Sequence, residues 1–303
     1  MALKKKNENA PAENNSVGVV LIAFGTDHYY HMAYNLAYSI KHFNKSVQIV
    51  IYIDDRGKFD KALKAANQEQ QWVFDYIEAV PEKYGQYAEL KLNIDKYCRF
   101  DKSLYLDVDA VCLRDIAPLL ESLDNVDFAI HVNGTYKRSD GPKFAQMRWA
   151  KPDDIWNQYQ LPEDATLWSV NSSIQWITKS GRSKQLYDKA RKAYSNPIPV
   201  SKLMKTWGNG QTDELYLNIA LAQSDFDPWF PVDPMLFRAK IMELPHTIPG
   251  QYYFMSYFGP QGHTAYYYVK WMDNQLRSFH AADNRRHFYK LENILKHKHA
   301  NRR

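Results

Sequence analysis

Cysteine is nearly absent from this 303-residue chain, with Cys98 and Cys112 as its whole complement. Two thiols make neither a disulfide framework nor a cysteine-based zinc site, and they fit a reducing compartment. No apolar run approaches the roughly 18 residues that a membrane span requires. The N-terminus lacks the apolar core of a secretory signal, so a cytoplasmic protein is the expectation. Glycine-rich phosphate loops are missing as well. Neither Gly-x-Gly-x-x-Gly nor Gly-x-x-x-x-Gly-Lys-Ser/Thr occurs, which weighs against the usual dinucleotide and P-loop sites. The absence of Gly-x-Ser-x-Gly disfavours a serine hydrolase. No His-x-x-x-His or His-Glu-x-x-His pattern points to hydrolytic zinc.

What is present is an ordinary globular composition, 45% hydrophobic and 24% charged. The length suits one large domain. Aromatics are high at 15%, with 22 tyrosines, which fits either a ligand-contacting cleft or plain core packing. The net charge of +5 is concentrated at one end, where Arg285 to Arg303 holds seven Lys or Arg against one acid, Glu292. Such a segment suits nucleic acid, anionic lipid or simple solvation. The expected organisation is a polar leader over 1–16, a single domain over 17–283 with an insertion at about 133–166, and a basic helical tail over 284–303.

Val17 to Phe24 and Val47 to Ile53 are continuous apolar runs of strand length, and Trp72 to Ile77 reads as a third strand. Between and after them, helical spacing marks His31 to His42, Phe59 to Glu69 and Tyr87 to Tyr97. Strand, helix, strand in quick succession predicts a mostly parallel α/β sheet flanked by helices. Further strands are expected at Leu104 to Leu106, Asp127 to Val132 and Leu167 to Ile177, with a helix at Lys184 to Tyr194. Another helix starts at Thr212 or Asp213. Asn133 to Ala165 has weak periodicity, and Trp149, Trp156 and Tyr159 suggest an insertion or a cover over a cleft. Thr264 to Trp271 is a further candidate strand, and Phe288, Leu291 and Leu295 mark a final amphipathic helix.

The chemistry centres on Ser103 to Arg114, where Asp107 and Asp109 follow an apolar strand. In an extended backbone, positions i and i+2 face one way. Two carboxylates aimed at one spot repel unless a cation or donor compensates. A seat for Mg²⁺ or Mn²⁺ bridging to a phosphate-bearing substrate is the chemical reading, and a solvated strand end the plain one. Gly25-Thr26 and Asp54 also end strands, where open α/β sheets bind ligands. His246 and His263 each fall in a stretch that reads as loop, where either could supply a third metal ligand and a solvent-exposed histidine is the plain reading.

The stretch Leu104-Tyr-Leu-Asp-Val-Asp-Ala110 resembles the "LYLDxD" motif of nucleotide-diphospho-sugar transferases with the GT-A fold. In motif order the chain is most similar to the retaining galactosyltransferase and glycogenin-like group, glycosyltransferase family 8, over roughly Val17 to Trp271. The resemblance implies that Asp107 and Asp109, with Val108 between them, hold Mn²⁺ (or Mg²⁺) and the donor diphosphate. It places Phe24, Gly25, Thr26, Tyr29 and Tyr30 at the base and ribose, Asp54 at the base or sugar, and Lys91 near the diphosphate. Asn171-Ser172 resembles the family's "N(S/A)G" strand at the donor sugar, with Ser173 in place of glycine. Thr212-Asp213-Glu214 with Leu217-Asn218 resembles "DQxxLN", with Glu214 in place of glutamine. Asn171, Asp213 and Glu214 are then the catalytic candidates. The family's "HFxGxxKPW" histidine completes the metal site, but Ser256 stands at that position here, so His263 is the expected third ligand and His246 its fallback.

The resemblance implies a metal-dependent glycosyltransferase that moves a hexose or pentose from a nucleotide diphosphate, UDP by analogy, to an acceptor hydroxyl with retention. The acceptor is open among glycan, protein, lipid and nucleic acid, including a hydroxymethylated DNA base, which would be flipped out to react. A sugar nucleotidyltransferase is a second enzyme class, although Gly25 to Tyr30 does not resemble its glycine-rich activation loop. A non-catalytic carbohydrate- or nucleic-acid-binding protein on the same scaffold is the third.

Overall fold

A computed structural model describes residues 16–64, 73–81, 83, 88–140, 150–199, 212–237, 251–256, 274 and 277. In chain order its elements are β1 (Val17–Ala23), α1 (Asp27–Phe43), β2 (Gln48–Ile53), α2 (Arg56–Ala62), β3 (Tyr76–Ala79), α3 (Ala88–Leu92) and α4 (Ile94–Tyr97). Next come β4 (Lys102–Leu106), β5 (Ala110–Cys112), α5 (Ala117–Ser122), β6 (Phe128–Tyr136), α6 (Pro152–Tyr159) and β7 (Leu167–Thr178). The last are α7 (Gly181–Tyr194), α8 (Asp213–Ala222), β8 (Met235–Leu236) and β9 (Phe254–Ser256). The leader, Trp149, His246, His263, the strand expected at Thr264 to Trp271 and the basic tail lie outside the described residues.

The chain divides into two compact units. The first holds residues 1–80, 99–124 and 232–303. Its strands run parallel in the order β3-β2-β1-β4, the α/β arrangement expected from the sequence. β1 and β2 read as unbroken apolar runs because nearly every residue in them is buried. Gly18 of β1 has a packing role. A Cβ built there would run into the Phe100 ring, which is itself buried and edge-on to Tyr76. Gly18→Ala is therefore expected to cost about 1–3 kcal/mol by overpacking, read as a lower midpoint in urea denaturation.

Two boundaries moved for physical reasons. α1 starts at Asp27 rather than His31, because Thr26 takes the extended N-cap conformation and its carbonyl accepts from Tyr29 N at 3.0 Å. Helix α2 begins at Arg56 instead of Phe59, since the Asp55 carboxylate caps it by accepting from Lys58 N at 3.0 Å. A small second sheet in this unit has the order β5-β9-β8.

The second unit holds residues 81–98 and 125–231. β6 and β7 form an antiparallel pair with a large irregularity: Ile130 is opposite Gln175, but the next residue, His131, is opposite Asn171. Ser172, Ser173 and Ile174 thus form a bulge with no register partner on β6. α7 and α8 pack on each other, and α8 packs on β7. The helix expected over Tyr87 to Tyr97 breaks into α3 and α4 at Asn93, whose amide donates back to Glu89 O at 2.9 Å. Arg191 of α7 donates to Leu92 O at 2.8 Å and to the Asp95 carboxylate at 2.5 Å, which fixes the break.

The expectation that Trp156 covers a cleft is overturned. Its ring is buried and its indole N–H donates to Pro162 O at 2.9 Å, so it is part of the core of this unit. Among the described residues, part of the tyrosine complement belongs to the core. Tyr30, Tyr34, Tyr38, Tyr52, Tyr105, Tyr187 and Tyr216 are among the largest fully buried side chains. Among the described residues, no helix is long and apolar enough to cross a membrane. Cys98 and Cys112 are both free and buried.

Candidate active site

The predicted site residues fall into two clusters, one in each unit. In the first unit, β1 ends at Ala23 and the chain turns at Gly25, whose φ of 93° suits glycine. The Asp54 carboxylate, just past β2, ties this turn down. It accepts from Gly25 N at 2.9 Å and from the Tyr30 hydroxyl at 2.5 Å. Burial and the adjacent carboxylate push the Tyr30 phenol far above its usual range, so it stays a donor. The Tyr30 ring is fully buried and holds the loop rather than offering a stacking face. Phe24 and Tyr29 are half-buried, and Gly25 and Thr26 are exposed, so ligand contact there falls to these four. Tyr29 leans on His28 at 4.6 Å, and the Thr26 hydroxyl is within 2.9 Å of His28 Nδ1.

Asp107 and Asp109 do not continue the strand. β4 ends at Leu106, and the pair lies in a bend before β5, so the extended i, i+2 geometry does not hold. Their spacing has another effect. Tyr105, fully buried in β4, donates its hydroxyl to Asp107 Oδ1 at 2.5 Å and fixes that carboxylate. Asp109 is buried at 8% exposure, beside the equally buried Val108, whose side chain is packed away from solvent. Ser256, at the position where the resemblance expects a histidine, lies in β9 directly opposite Ala110. The register therefore sets a buried serine across from the residue that follows the aspartate pair.

Two carboxylates with a neighbouring hydroxyl form an all-oxygen donor set. That suits a hard divalent cation, which completes its shell with water and substrate phosphate. Among the described residues no group of three His, Cys, Asp or Glu gathers.

In the second unit, Lys91 closes α3 and faces α8. Its ammonium is 3.9 Å from Asp213 Oδ2 and 3.4 Å from the Ser172 hydroxyl. Asp213 is 9% exposed, and Ser172 is buried. Thr212 caps α8 by accepting from Leu215 N at 3.3 Å, which puts Asp213 and Glu214 in the first turn, where the helix dipole favours acids. Glu214 Oε1 accepts the Ser172 N–H at 3.3 Å, replacing the ladder bond that the β7 bulge gives up. Asn171 Oδ1 accepts from Ser173 N at 2.9 Å within the same bulge. The buried Gln175 amide donates to Ser172 O at 3.0 Å, and the Tyr187 hydroxyl donates to Gln175 Oε1 at 2.8 Å, so the bulge is clamped from below. Lys91, Ser172, Asp213 and Glu214 thus meet in one cluster.

Four residues at or beneath these clusters do not stand out in the sequence as site residues: Tyr105, Arg191, Gln175 and His131. Tyr105 had a usable signal, its i−2 position inside the motif. Arg191 and Gln175 had none, because their partners are far away along the chain. His131, buried opposite Asn171, also had none.

No protein-family model matches the sequence, and no curated protein matches it. Solved structures do match in shape. They include the bifunctional glycosyltransferase WbbM in its apo form, with a TM-score of 0.55 and 12% identity over 90% of this chain. The chain spans 52% of the length of that protein. The galactosyltransferase LgtC in complex with donor and acceptor sugar analogues matches with a TM-score of 0.52 and 12% identity, covering 86% of this chain and 95% of LgtC. An active-site mutant of LgtC matches at 0.51 and 11% identity, with 85% and 95% covered. The chain thus has the mixed α/β GT-A fold of these glycosyltransferases.

Proposed function

We propose that the protein is a glycosyltransferase that moves a sugar from a nucleotide diphosphate, UDP by analogy, to a hydroxyl of a glycan acceptor. The observation that carries this reading is the second-unit cluster of Lys91, Ser172, Asp213 and Glu214, joined to a GT-A fold and to Asp107-Val108-Asp109 after β4. A single catalytic domain over 17–283 is part of the proposal.

The first-unit residues take the nucleotide diphosphate. Phe24, Gly25, Thr26 and Tyr29 form the base and ribose wall, which Asp54 and Tyr30 hold in shape. Asp107 and Asp109 would hold Mn²⁺ or Mg²⁺, with His263 or the Ser256 hydroxyl as a further ligand. When bound, the cation offsets the charge that develops on the departing diphosphate. In the second unit Lys91 offers a positive charge, and its link to Asp213 keeps the ammonium oriented. Asn171 and Ser172 position the sugar. Asp213 stabilises positive character at the anomeric carbon, and Glu214 holds the bulge through Ser172 N. Retention at the anomeric carbon follows from the family resemblance. The sugar acceptor follows from LgtC, which was solved with an acceptor sugar analogue.

The test is a panel of UDP-, GDP- and CMP-sugars incubated with the full chain, with Mn²⁺, with Mg²⁺ and with chelator. Release of nucleotide diphosphate from at least one donor, lost on chelation, is expected. No turnover with any donor, together with no nucleotide binding by calorimetry, overturns the proposal.

A further inference from the structure

In the second unit, the C-terminal ends of α6, α7 and α8 line one cleft of 370 Å³. That volume lies within the range of ligand sites, roughly 300–1,000 Å³. α6 contributes Gln158 and Tyr159, followed by Gln160 in a left-handed conformation with φ 49°. α7 and the turn after it contribute Lys189, Lys192 and Asn196, and the end of α8 contributes Gln223.

Helix C-termini leave carbonyls without helical partners, but several of those here are already used. The Asn196 carbonyl accepts from the Tyr159 hydroxyl at 2.8 Å and from the Gln158 amide at 2.8 Å. Lys189 donates to the Gln223 carbonyl at 2.6 Å and to the Ser224 hydroxyl at 2.9 Å. Burial pushes the Tyr159 phenol up to about 12, so its hydroxyl remains a donor. These bonds make a rigid wall. They also weigh against a metal: the Lys189 ammonium occupies the carbonyl that a cation would seek, and among the described residues no carboxylate lines the cleft.

The wall carries four primary amides, of Gln158, Gln160, Asn196 and Gln223, and one tyrosine ring; the Gln158 and Gln223 amides each spend one donor within the wall, on Asn196 O at 2.8 Å and Tyr159 O at 3.5 Å. Each amide carries two donors and an acceptor oxygen. That pattern matches the vicinal hydroxyls of a sugar, and a half-buried tyrosine gives the ring a flat apolar face. We infer that this cleft binds an oligosaccharide. It opens at the far end of α8 from Asp213, about 15 Å away at the helical rise of 1.5 Å per residue. The cleft therefore takes the body of a chain and not its reacting end. Identifying the bound chain with the acceptor rests on the proposed transfer reaction; binding itself does not.

Saturation-transfer NMR on the full chain, with maltohexaose and a galacturonate hexamer as probes and with neither donor nor metal present, tests the inference. Signal from at least one hexamer is expected, with a dissociation constant on the order of 1 mM. Gln160→Gly/Gln223→Ala should weaken it at least tenfold at an unchanged melting temperature, since glycine suits the left-handed backbone at 160. Asp213→Asn should leave it intact. No signal from either hexamer, or a signal that survives the double variant and disappears with Asp213→Asn, overturns the inference. Binding without sugar transfer overturns only the proposed reaction, whereas transfer without binding overturns only the cleft.

Discussion

Asp109→Ala is expected to lower sugar transfer by about 10²–10³-fold, the usual loss when one preorganised electrostatic contact to developing charge is removed. The melting temperature should stay close to that of the parent. Asp109 separates chemistry from folding better than its neighbour does. Asp107 accepts the hydroxyl of the fully buried Tyr105. Its removal strands that donor at a cost of about 1–3 kcal/mol, so a loss of activity there mixes two causes. The check is donor turnover in Mn²⁺ for Asp109→Ala and Asp109→Asn, with calorimetric nucleotide affinity measured alongside. Transfer within a few-fold of the parent in both variants would remove the aspartate pair from the mechanism.

Lys91→Met should have the largest combined effect. The ammonium is 3.9 Å from Asp213 Oδ2, and the two side chains are 21% and 12% exposed. Removing one partner of so enclosed a pair leaves a carboxylate without its cation, which costs about 3 kcal/mol in denaturant unfolding. The same change removes the positive charge of the second-unit cluster proposed to take part in transfer, so turnover should fall by about 10²-fold or more. Asp213→Asn should also lower turnover, but it leaves a neutral amide beside Lys91 and should cost less stability. In Lys91→Met/Asp213→Asn the stability losses should fall short of their sum by about 1 kcal/mol or more, the mark of direct coupling. Full additivity would mean that the two groups do not interact. Lys91→Arg keeps the charge but not the fit between α3 and the bulge, so stability should recover more than turnover.

Much of the frame was legible along the chain because it is written in local pattern. Val17 to Ala23 and Gln48 to Ile53 are apolar throughout because parallel strands are covered on both faces. The start of α8 was legible in Thr212, whose hydroxyl caps the helix. Asp107 and Asp109 stood out because two acids directly after an apolar strand are costly without a compensating partner. The failures have local causes as well. Asn93 broke a helix that the apolar spacing carried straight through, since its amide turns back onto the chain. Trp156 was taken for a cover because an aromatic in a weakly periodic segment looks the same whether it faces a ligand or a core.

By itself, the sequence determined the alternation of strands and helices, the order of the acidic and amide motifs, and the lack of a P-loop motif and of a cysteine framework. These depend on residues a few positions apart, where backbone geometry alone sets which side chains share a face. Only the tertiary structure decided what each motif does. It turned Asp54 into a clamp on the Gly25 turn, set Tyr105 against Asp107, opened the β7 bulge so that Glu214 takes the Ser172 N–H, and brought Lys91 to Asp213. Tyr105 and Asp107 are two residues apart, but the other partners lie 29 to 122 residues apart and cannot be read from spacing. Their meeting is fixed by strand register and helix packing, which only the folded core supplies.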